Sequence, residues 1–252
     1  MDEIVNARPV NVTDELDRIA ARYRAADGTG IKILNALGGQ AENLLDRLPA
    51  GVRSGLTSAT EQALKVALQA ADQSRLAVPD QKSWVDTAVT SAMGAAGGFG
   101  GLPTALVELP ATTTVLLRTI QGVAAENGFD PRSESVKFDC IRVFASAGPL
   151  DQDDGADLGF ISLRLTMTGG AMQKLVAAVA PRLATALGQK LAAQTIPVLG
   201  AVAGATINYH YSRYYREMAH VHFGLRRLAV DAETPESDLI TMLQARMGRR
   251  VT

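Results

Sequence analysis

Apolar residues recur three and four positions apart along most of this chain, which is the period of an α-helix. The first such segment follows the capping residues at 11–14 and ends near 27–30, and its apolar positions are Leu16, Ile19, Ala20 and Tyr23. A second segment runs from Leu34 to Leu48, and a third from about Gly51 into the 70s. The pattern predicts amphipathic helices of a bundle.

Two longer runs, 87–107 and 191–212, contain no charged residue. Their length suits a membrane span, but both are interrupted by glycine and proline; the first holds few large apolar side chains, and the second contains the polar residues Gln194 and Asn208. We therefore expect them to be buried central helices of a bundle. Glycines at this density permit close approach between helices, and the candidates for such packing are Gly97, Gly98, Gly101, Gly200 and Gly204.

Between these runs, residues 112–127 predict a helix that ends at Asn127-Gly128. Residues 136–140 and 161–165 alternate like strands, so a hairpin is an alternative there, although their apolar continuation favours helix. The predicted fold is all-α, a single-domain multi-helix bundle with central Gly/Ala-rich buried helices. We divide the chain into an N-terminal helix and linker at 1–30, loosely attached, a helical domain at 31–230, and a C-terminal helical tail at 231–252.

Composition narrows the range of partners and compartments. A hydrophobic fraction of 47% in 252 residues is ample for a core, and a net charge of −1 gives no general attraction to nucleic acid, so we expect no nucleic-acid partner. The lone cysteine, Cys140, forms no internal disulfide. The opening Met1-Asp2-Glu3 lacks the features of a secretory signal. We expect a cytoplasmic protein, with peripheral association at the inner face of the membrane as a further hypothesis.

Three motifs suggest chemistry, and each lacks residues or a spacing that the chemistry requires. The glycines at 98–101 follow no strand and lack the lysine of a phosphate-binding loop. The acidic stretch 151–157 does not have the ligand positions of a calcium-binding loop. The pair Glu217 and His220 supplies only half of a di-iron carboxylate set. We accordingly expect no metal, no cofactor and no catalytic residue.

Helical phase separates the histidines of the last long helix, predicted at about 197–228. His222 falls on a stripe with Gly204, Asn208, Tyr211, Tyr215, Ala219 and Arg226, whereas His220 shares a solvated face with Arg213, Arg216 and Arg227. The stripe has two interpretations that the sequence leaves open: a buried polar ladder that fixes helix packing, or the wall of a pocket for an anionic group. The candidate residues of this stripe are Asn208, His222 and Arg226. Their candidate partners from the Gly-rich half of the chain are Glu108 and Arg118.

Two blocks of the sequence resemble the EcsC family. The first combines Gly97-Gly98-Phe99-Gly100-Gly101 with Glu108-Leu109-Pro110 and Leu117-Arg118, and the second extends from Ile196-Pro197 through Gly204 and Asn208 to His222-Phe223-Gly224-Leu225-Arg226-Arg227-Leu228. The resemblance covers roughly 31–230. It implies a link to an ABC transporter, because the family takes its name from a protein encoded beside an ABC exporter. It implies no catalytic residues, since the family is usually described as being of unknown function.

Three functions follow as hypotheses. The first is a non-enzymatic helical protein that associates peripherally with membrane lipid or a membrane protein through its Gly-rich helices; tyrosines interleaved with arginines at 209–216 suit such an interface. The second is a hydrolase-type enzyme that uses His222 with a carboxylate such as Glu108. The third is a structural scaffold or homo-oligomer in which Gly200 and Gly204 meet a partner helix.

Overall fold

The computed structural model describes residues 10–26, 45–77, 83–99, 101–144, 146, 170–193 and 199–247. Within these ranges the chain forms eight α-helices, a short 3-10 turn at Leu45–Arg47, and no strand, which confirms the all-α prediction. The helices are α1 (Val12–Ala26), α2 (Ala50–Ala77), α3 (Ser83–Phe99), α4 (Gly101–Glu126), α5 (Glu134–Val143), α6 (Ala171–Ala193), α7 (Leu199–Asp231) and α8 (Glu236–Arg246).

Helix α1 begins where the capping residues predict. The Oδ1 atom of Asn11 accepts a hydrogen bond from the backbone N–H of Thr13 at 3.0 Å, which satisfies a donor that the first turn leaves unpaired. The four apolar positions expected on one face are the buried ones, and they pack against α7. Arg22 of α1 also pairs with Glu217 of α7 at 2.9 Å.

Helix α4 extends the predicted 112–127 segment back to Gly101, with Pro110 inside it. It ends in a Schellman motif at Gly128, whose φ of 84° is accessible to glycine at little cost. The backbone N–H of Phe129 donates to the carbonyl of Ala124 at 3.0 Å, and that of Gly128 donates to the carbonyl of Ala125 at 2.9 Å. This turn leads the chain into α5. Residues 136–140 belong to that helix, so they are helical and do not form the alternative strand.

The uncharged run 87–107 is divided between α3 and α4, on either side of residue 100. Neither these helices nor the others that the structure describes combine the length and apolar character needed to cross a bilayer. The predicted helix at 34–48 falls mostly outside the described residues, as do the strand-like stretch 161–165 and the acidic stretch 151–157.

Helix α7 is the central element of the bundle, with 33 residues. It packs against six other helices, which are α1, α3, α4, α5, α6 and α8. The stripe predicted from helical phase is buried from Gly204 to His222, and Arg226 at its end is half-buried. Three of the tyrosines expected at an interface, Tyr211, Tyr214 and Tyr215, lie in the core instead, and only Tyr209 is exposed.

The hydrophobic core lies mainly between α2, α4, α6 and α7 and is built from aliphatic side chains with a few aromatic ones. Its fully buried members include Leu64, Leu117, Ile120, Leu187, Ile207, Tyr215 and Phe223. Burial of such side chains is the main stabilising contribution to a bundle of this kind.

Candidate functional site

A buried polar cluster lies where α3, α4, α6 and α7 meet, and we call it the Glu108 cluster: Glu108, Thr112, Lys190 and Asn208. The Lys190 Nζ lies 2.8 Å from Oε2 and 3.0 Å from Oε1 of Glu108. The Nδ2 of Asn208 donates to Glu108 Oε1 at 2.9 Å, and the hydroxyl of Thr112 donates to the same oxygen. All four residues are buried, so the carboxylate is held by protein donors in place of water.

Glycines on α3 create the space for this cluster. A Cβ at Gly94 would overlap the carbonyl oxygen of Gly204 and would lie 2.7 Å from the Asn208 Nδ2 atom. A Cβ at Gly97 would lie 2.9 Å from Oε2 of Glu108. The close packing at Gly97 and Gly204 therefore occurs within the chain, between α3 and its neighbours. The remaining packing candidates, Gly98, Gly101 and Gly200, belong to α3, α4 and α7 respectively.

Two effects in the Glu108 cluster shift the pKa of Lys190 in opposite directions. Burial lowers the pKa of the Lys190 ammonium, and the adjacent Glu108 carboxylate acts in the other direction by attraction and hydrogen bonding. Asn208 also donates from Nδ2 to the backbone carbonyl of Thr90 at 2.7 Å, while its Oδ1 is buried with no hydrogen-bond partner in the described part of the chain. Because both Nδ2 contacts are to acceptors, the orientation of the amide is fixed.

A second buried group, the Asp139 cluster, joins α5 to the other end of α7 and consists of Asp139, Arg142, His222 and Arg226. The Arg226 Nη1 lies 2.6 Å from Asp139 Oδ2, and Arg142 Nη1 lies 3.0 Å from Oδ1. The His222 Nε2 is 3.4 Å from the same Oδ1. The guanidinium carbon of Arg226 also lies 4.5 Å from the ring centre of Phe129, a cation–π contact.

The charge balance of the Asp139 cluster favours the ionised carboxylate. Burial by itself would raise the pKa of Asp139, but the His222 imidazole and then the two guanidiniums outweigh it and lower that pKa from 3.8 to about 2. His222 is almost completely buried and Asp139 nearly so. The cluster therefore acts as a charged link between α5 and α7 in the interior of the bundle.

Four of the five candidate residues thus fall into two separate groups. Glu108 and Asn208 are in contact, and His222 and Arg226 share Asp139, but 14 residues of helix, roughly 21 Å at 1.5 Å per residue, separate Asn208 from His222. The pairing of His222 with Glu108 is therefore not formed, and the carboxylate beside His222 is Asp139. Arg118 is half-buried on α4, roughly 15 Å along the axis from Glu108.

Three charged residues of these clusters were not singled out from the sequence: Asp139, Arg142 and Lys190. Lys190 had a detectable signal, because it continues the apolar stripe of α6 through Val176, Val179, Leu183 and Leu187. A lysine on the buried side of a helix needs a partner. Asp139 had a weaker signal, since it lies between Val136 and Val143 in a segment that is buried on most sides.

His220 lies on a face that is less solvated than the sequence predicted. Its side chain is 14% exposed, and that of Arg227 is 12% exposed and pairs with Asp231 at 2.6 Å. Burial, and then the cations of Arg22 and Arg216, lower the pKa of His220 from 6.5 to about 4. Glu126 lies 3.8 Å from His220 Nε2, but its side chain is 56% exposed, so solvent screens its attraction and the other effects dominate.

Comparison with known proteins gives one match. The model of the EcsC protein family matches residues 77–228, which is more than half of the chain and includes both polar clusters. No curated protein and no solved structure matches the chain. The chain therefore belongs to the EcsC protein family.

Proposed function

We propose that this protein is a non-enzymatic, peripheral membrane protein that binds the lipid bilayer through the outward face of α3. The observation that carries the proposal is that this face is apolar throughout its described part. Its exposed side chains are Ala88, Val89, Ala92 and Ala96, and the sequence has no charged residue from 87 to 107.

The outward face of α2 gives the contrast. Val66 of α2 is 52% exposed, much like Val89 of α3 at 44%, but the exposed neighbours of Val66 are Gln62, Lys65 and Gln69. An isolated exposed valine among polar residues is ordinary on a protein surface. A helix face that is apolar over two turns is the feature that marks an interaction site.

The inward side of α3 is equally unusual. Its buried positions are Thr90, Gly94 and Gly97, and no apolar side chain between Thr87 and Gly97 belongs to the hydrophobic core. Over residues 87–97 the helix therefore has small and polar residues inside and apolar residues outside, the reverse of a surface helix in water. Small residues inside and apolar residues outside are typical of helices that face lipid.

The neighbouring helix α7 adds residues suited to the membrane interface. It exposes Val202, at 61%, and Tyr209, whose ring lies 5.7 Å from the guanidinium carbon of Arg213. A tyrosine ring with an arginine beside it has an apolar body and a polar end, as side chains at the headgroup level require. We favour lipid over a protein partner because the part of the α3 face that the structure describes, residues 88–96, has neither a charge nor a hydrogen-bonding side chain to specify one.

The binding is expected to be shallow and governed by apolar contact. With a net charge of −1 and no charged residue from 87 to 107, electrostatic attraction contributes little, so binding should be nearly independent of salt and of anionic lipid. The side chains on this face are small, so the affinity should be moderate.

Flotation with phosphatidylcholine vesicles tests the proposal. We expect wild-type protein to float with the vesicles at both low and high salt, and Val89→Glu to remain at the bottom because a carboxylate would have to enter the apolar layer. Val66→Glu is the matched control, since it places the same charge at an equally exposed valine of α2, and it should float as wild type. Equal loss in both variants, or no flotation of wild type, contradicts the proposal. Binding to native membranes but not to pure lipid would assign the face to a membrane protein.

A further inference from the structure

We infer that α3 and α7 enter the bilayer together and end-first, with Ala96 and Val202 deepest and Tyr209 at the headgroup level. This inference rests on the proposed function, because it states how the same site meets the lipid. It differs from contact along the length of α3 alone, which would leave α7 outside the apolar layer.

Helices α3 and α7 form a closely packed antiparallel pair. Their packing is the most extensive between any two helices that the structure describes. A Cβ at Gly94 would overlap the carbonyl oxygen of Gly204, and one turn earlier on α3 the carbonyl of Thr90 accepts from Nδ2 of Asn208 at 2.7 Å. These two contacts fix the register, because each step forward on α3 corresponds to one step back on α7.

This register brings the exposed apolar positions of the two helices to the same end of the pair. Ala96 of α3 lies level with Val202 of α7, and Val89 lies level with Tyr209. All four are exposed. Seven residues separate the two levels on each helix, which is roughly 10 Å at 1.5 Å per residue.

The outward stripe of α7 changes from apolar to charged along its length. Val202, Tyr209, Arg213 and Arg216 follow one another within about 60° around the helix axis. On α3 the sequence has no charge from residue 87 onward, and the position of Asp86 lies level with residue 212. Charge therefore begins at the same level on both helices. A bilayer parallel to the pair would either bury Arg213 or leave Val202 in water, whereas a tilted pair avoids both.

The exposed apolar surfaces of the two helices also point in different directions. On α3, Ala92 and Ala96 lie about 160° and 200° around the axis from Gly94, which faces α7. On α7, Val202 lies about 120° from Asn208, which faces α3. A bilayer along the side of α3 would not reach Val202. A bilayer that receives the end of the pair contacts both surfaces.

Two features limit the depth of entry. Helix ends have backbone groups without intrahelical partners, which are costly to place in hydrocarbon. On the α6 side, Leu45 would contact a Cβ at Gly188, and the next residue, Asp46, forms an exposed ion pair with Arg53 that has to stay in water. An entry of roughly 10 Å below Tyr209 stays within one leaflet, whose hydrocarbon layer is about 15 Å thick.

Depth-dependent quenching of a fluorophore tests the inference on the full chain. A nitrobenzoxadiazole label is attached to single cysteines in the variants Ala96→Cys, Val202→Cys, Val89→Cys and, as a control on α2, Val66→Cys. The vesicles are phosphatidylcholine with a nitroxide either at the headgroup or deep in the acyl chain. Wild-type protein is the labelling blank, because its one cysteine, Cys140, is fully buried.

We expect equal depths for the labels at 96 and 202, a label at 89 that is shallower by roughly 5 to 10 Å, and no quenching at 66. Equal depths at 89 and 96 without quenching at 202 would show contact along the side of α3, which overturns the inference and leaves the lipid proposal standing. Absence of quenching at every position contradicts the lipid proposal itself.

A charge at Val202 provides a second measurement. Val202 is 61% exposed and Val66 is 52% exposed, so Val202→Glu and Val66→Glu add the same charge at similarly exposed valines. Val202→Glu should weaken vesicle binding by about tenfold, because the carboxylate would have to enter hydrocarbon, and Val66→Glu should have no effect. Unchanged binding of Val202→Glu to vesicles that wild type binds would overturn the end-first arrangement.

Discussion

The ammonium of Lys190 lies 2.8 Å from the carboxylate of Glu108, and the lysine side chain has no exposure to solvent. Such a pair has lost the hydration of both ions, so its net contribution to stability is small even though each ion depends on the other. Removal of one partner leaves the other as an uncompensated buried charge, and this asymmetry gives the first prediction.

Lys190→Met should lower the free energy of unfolding by roughly 3 to 5 kcal/mol, since Glu108 is left charged in the interior. Combination with Glu108→Gln should recover at least half of that loss, because the glutamine oxygen still accepts from Asn208 and no charge remains buried. Urea unfolding of the four proteins of this cycle measures both effects. Additive losses in the double variant would show that the two residues do not act as a pair.

Gly94→Ala should destabilise the protein by several kcal/mol, because the added Cβ overlaps the carbonyl oxygen of Gly204 and neither backbone can move without separating α3 from α7. Gly55→Ala is the control, on the exposed side of α2 with no atom near the added carbon. It should stabilise by about 0.5 to 1 kcal/mol through helix propensity. Thermal unfolding compares the two. A Gly94→Ala protein as stable as wild type would mean that the helices do not cross closely here.

Asp139 should make stability sensitive to acid in a defined window. Its pKa falls from 3.8 to about 2 on folding, so its contribution is fully present above pH 3.8 and is lost as the pH falls through about 2. The size of that contribution is about 2 kcal/mol, at 1.36 kcal/mol per pKa unit. The stability difference between wild type and Asp139→Asn should therefore shrink by this amount between pH 4 and pH 2 in denaturant titrations. A constant difference would count against the ionised cluster.

His220 should act at a milder pH. Its pKa falls from 6.5 to about 4 on folding, so the unfolded chain binds the proton more readily between these values. The contribution of neutral His220 to the free energy of unfolding is then fully present above pH 6.5 and is lost as the pH falls toward 4. His220→Gln should make the profile flatter across this interval, and unfolding midpoints at pH 7, 6, 5 and 4 give the comparison. Burial and then the Arg213 cation also lower the pKa of His210, so His210 contributes in the same direction, and the profile of His220→Gln should be flatter than that of wild type without becoming flat.

Much of the fold could be predicted from periodicity, because burial on one face of a helix imposes the same spacing on every turn. The four buried positions of α1 and the stripe of α7 from Gly204 to His222 are examples. Periodicity states which face of a helix is buried, but not which neighbour covers it. The sequence therefore placed Glu108 and His222 among the buried polar residues and yet gave His222 the wrong carboxylate. Lys190 and Asp139 lie on buried helix faces, which the sequence signals, but their partners become known only from the contacts of α6 with α4 and of α5 with α7.

Helix α7 is continuous between Asn208 and His222, and each of these residues belongs to a different charged cluster. Each residue of an α-helix is rotated by about 100° around the helix axis and displaced by about 1.5 Å along it, relative to the residue before it. Insertion or deletion of a single residue between the two positions would therefore rotate either Asn208 or His222 away from the side chains it contacts, while the other residue keeps its contacts. The register of this one helix couples the two halves of the bundle, and the count of residues between Asn208 and His222 is as much a part of the architecture as their identities.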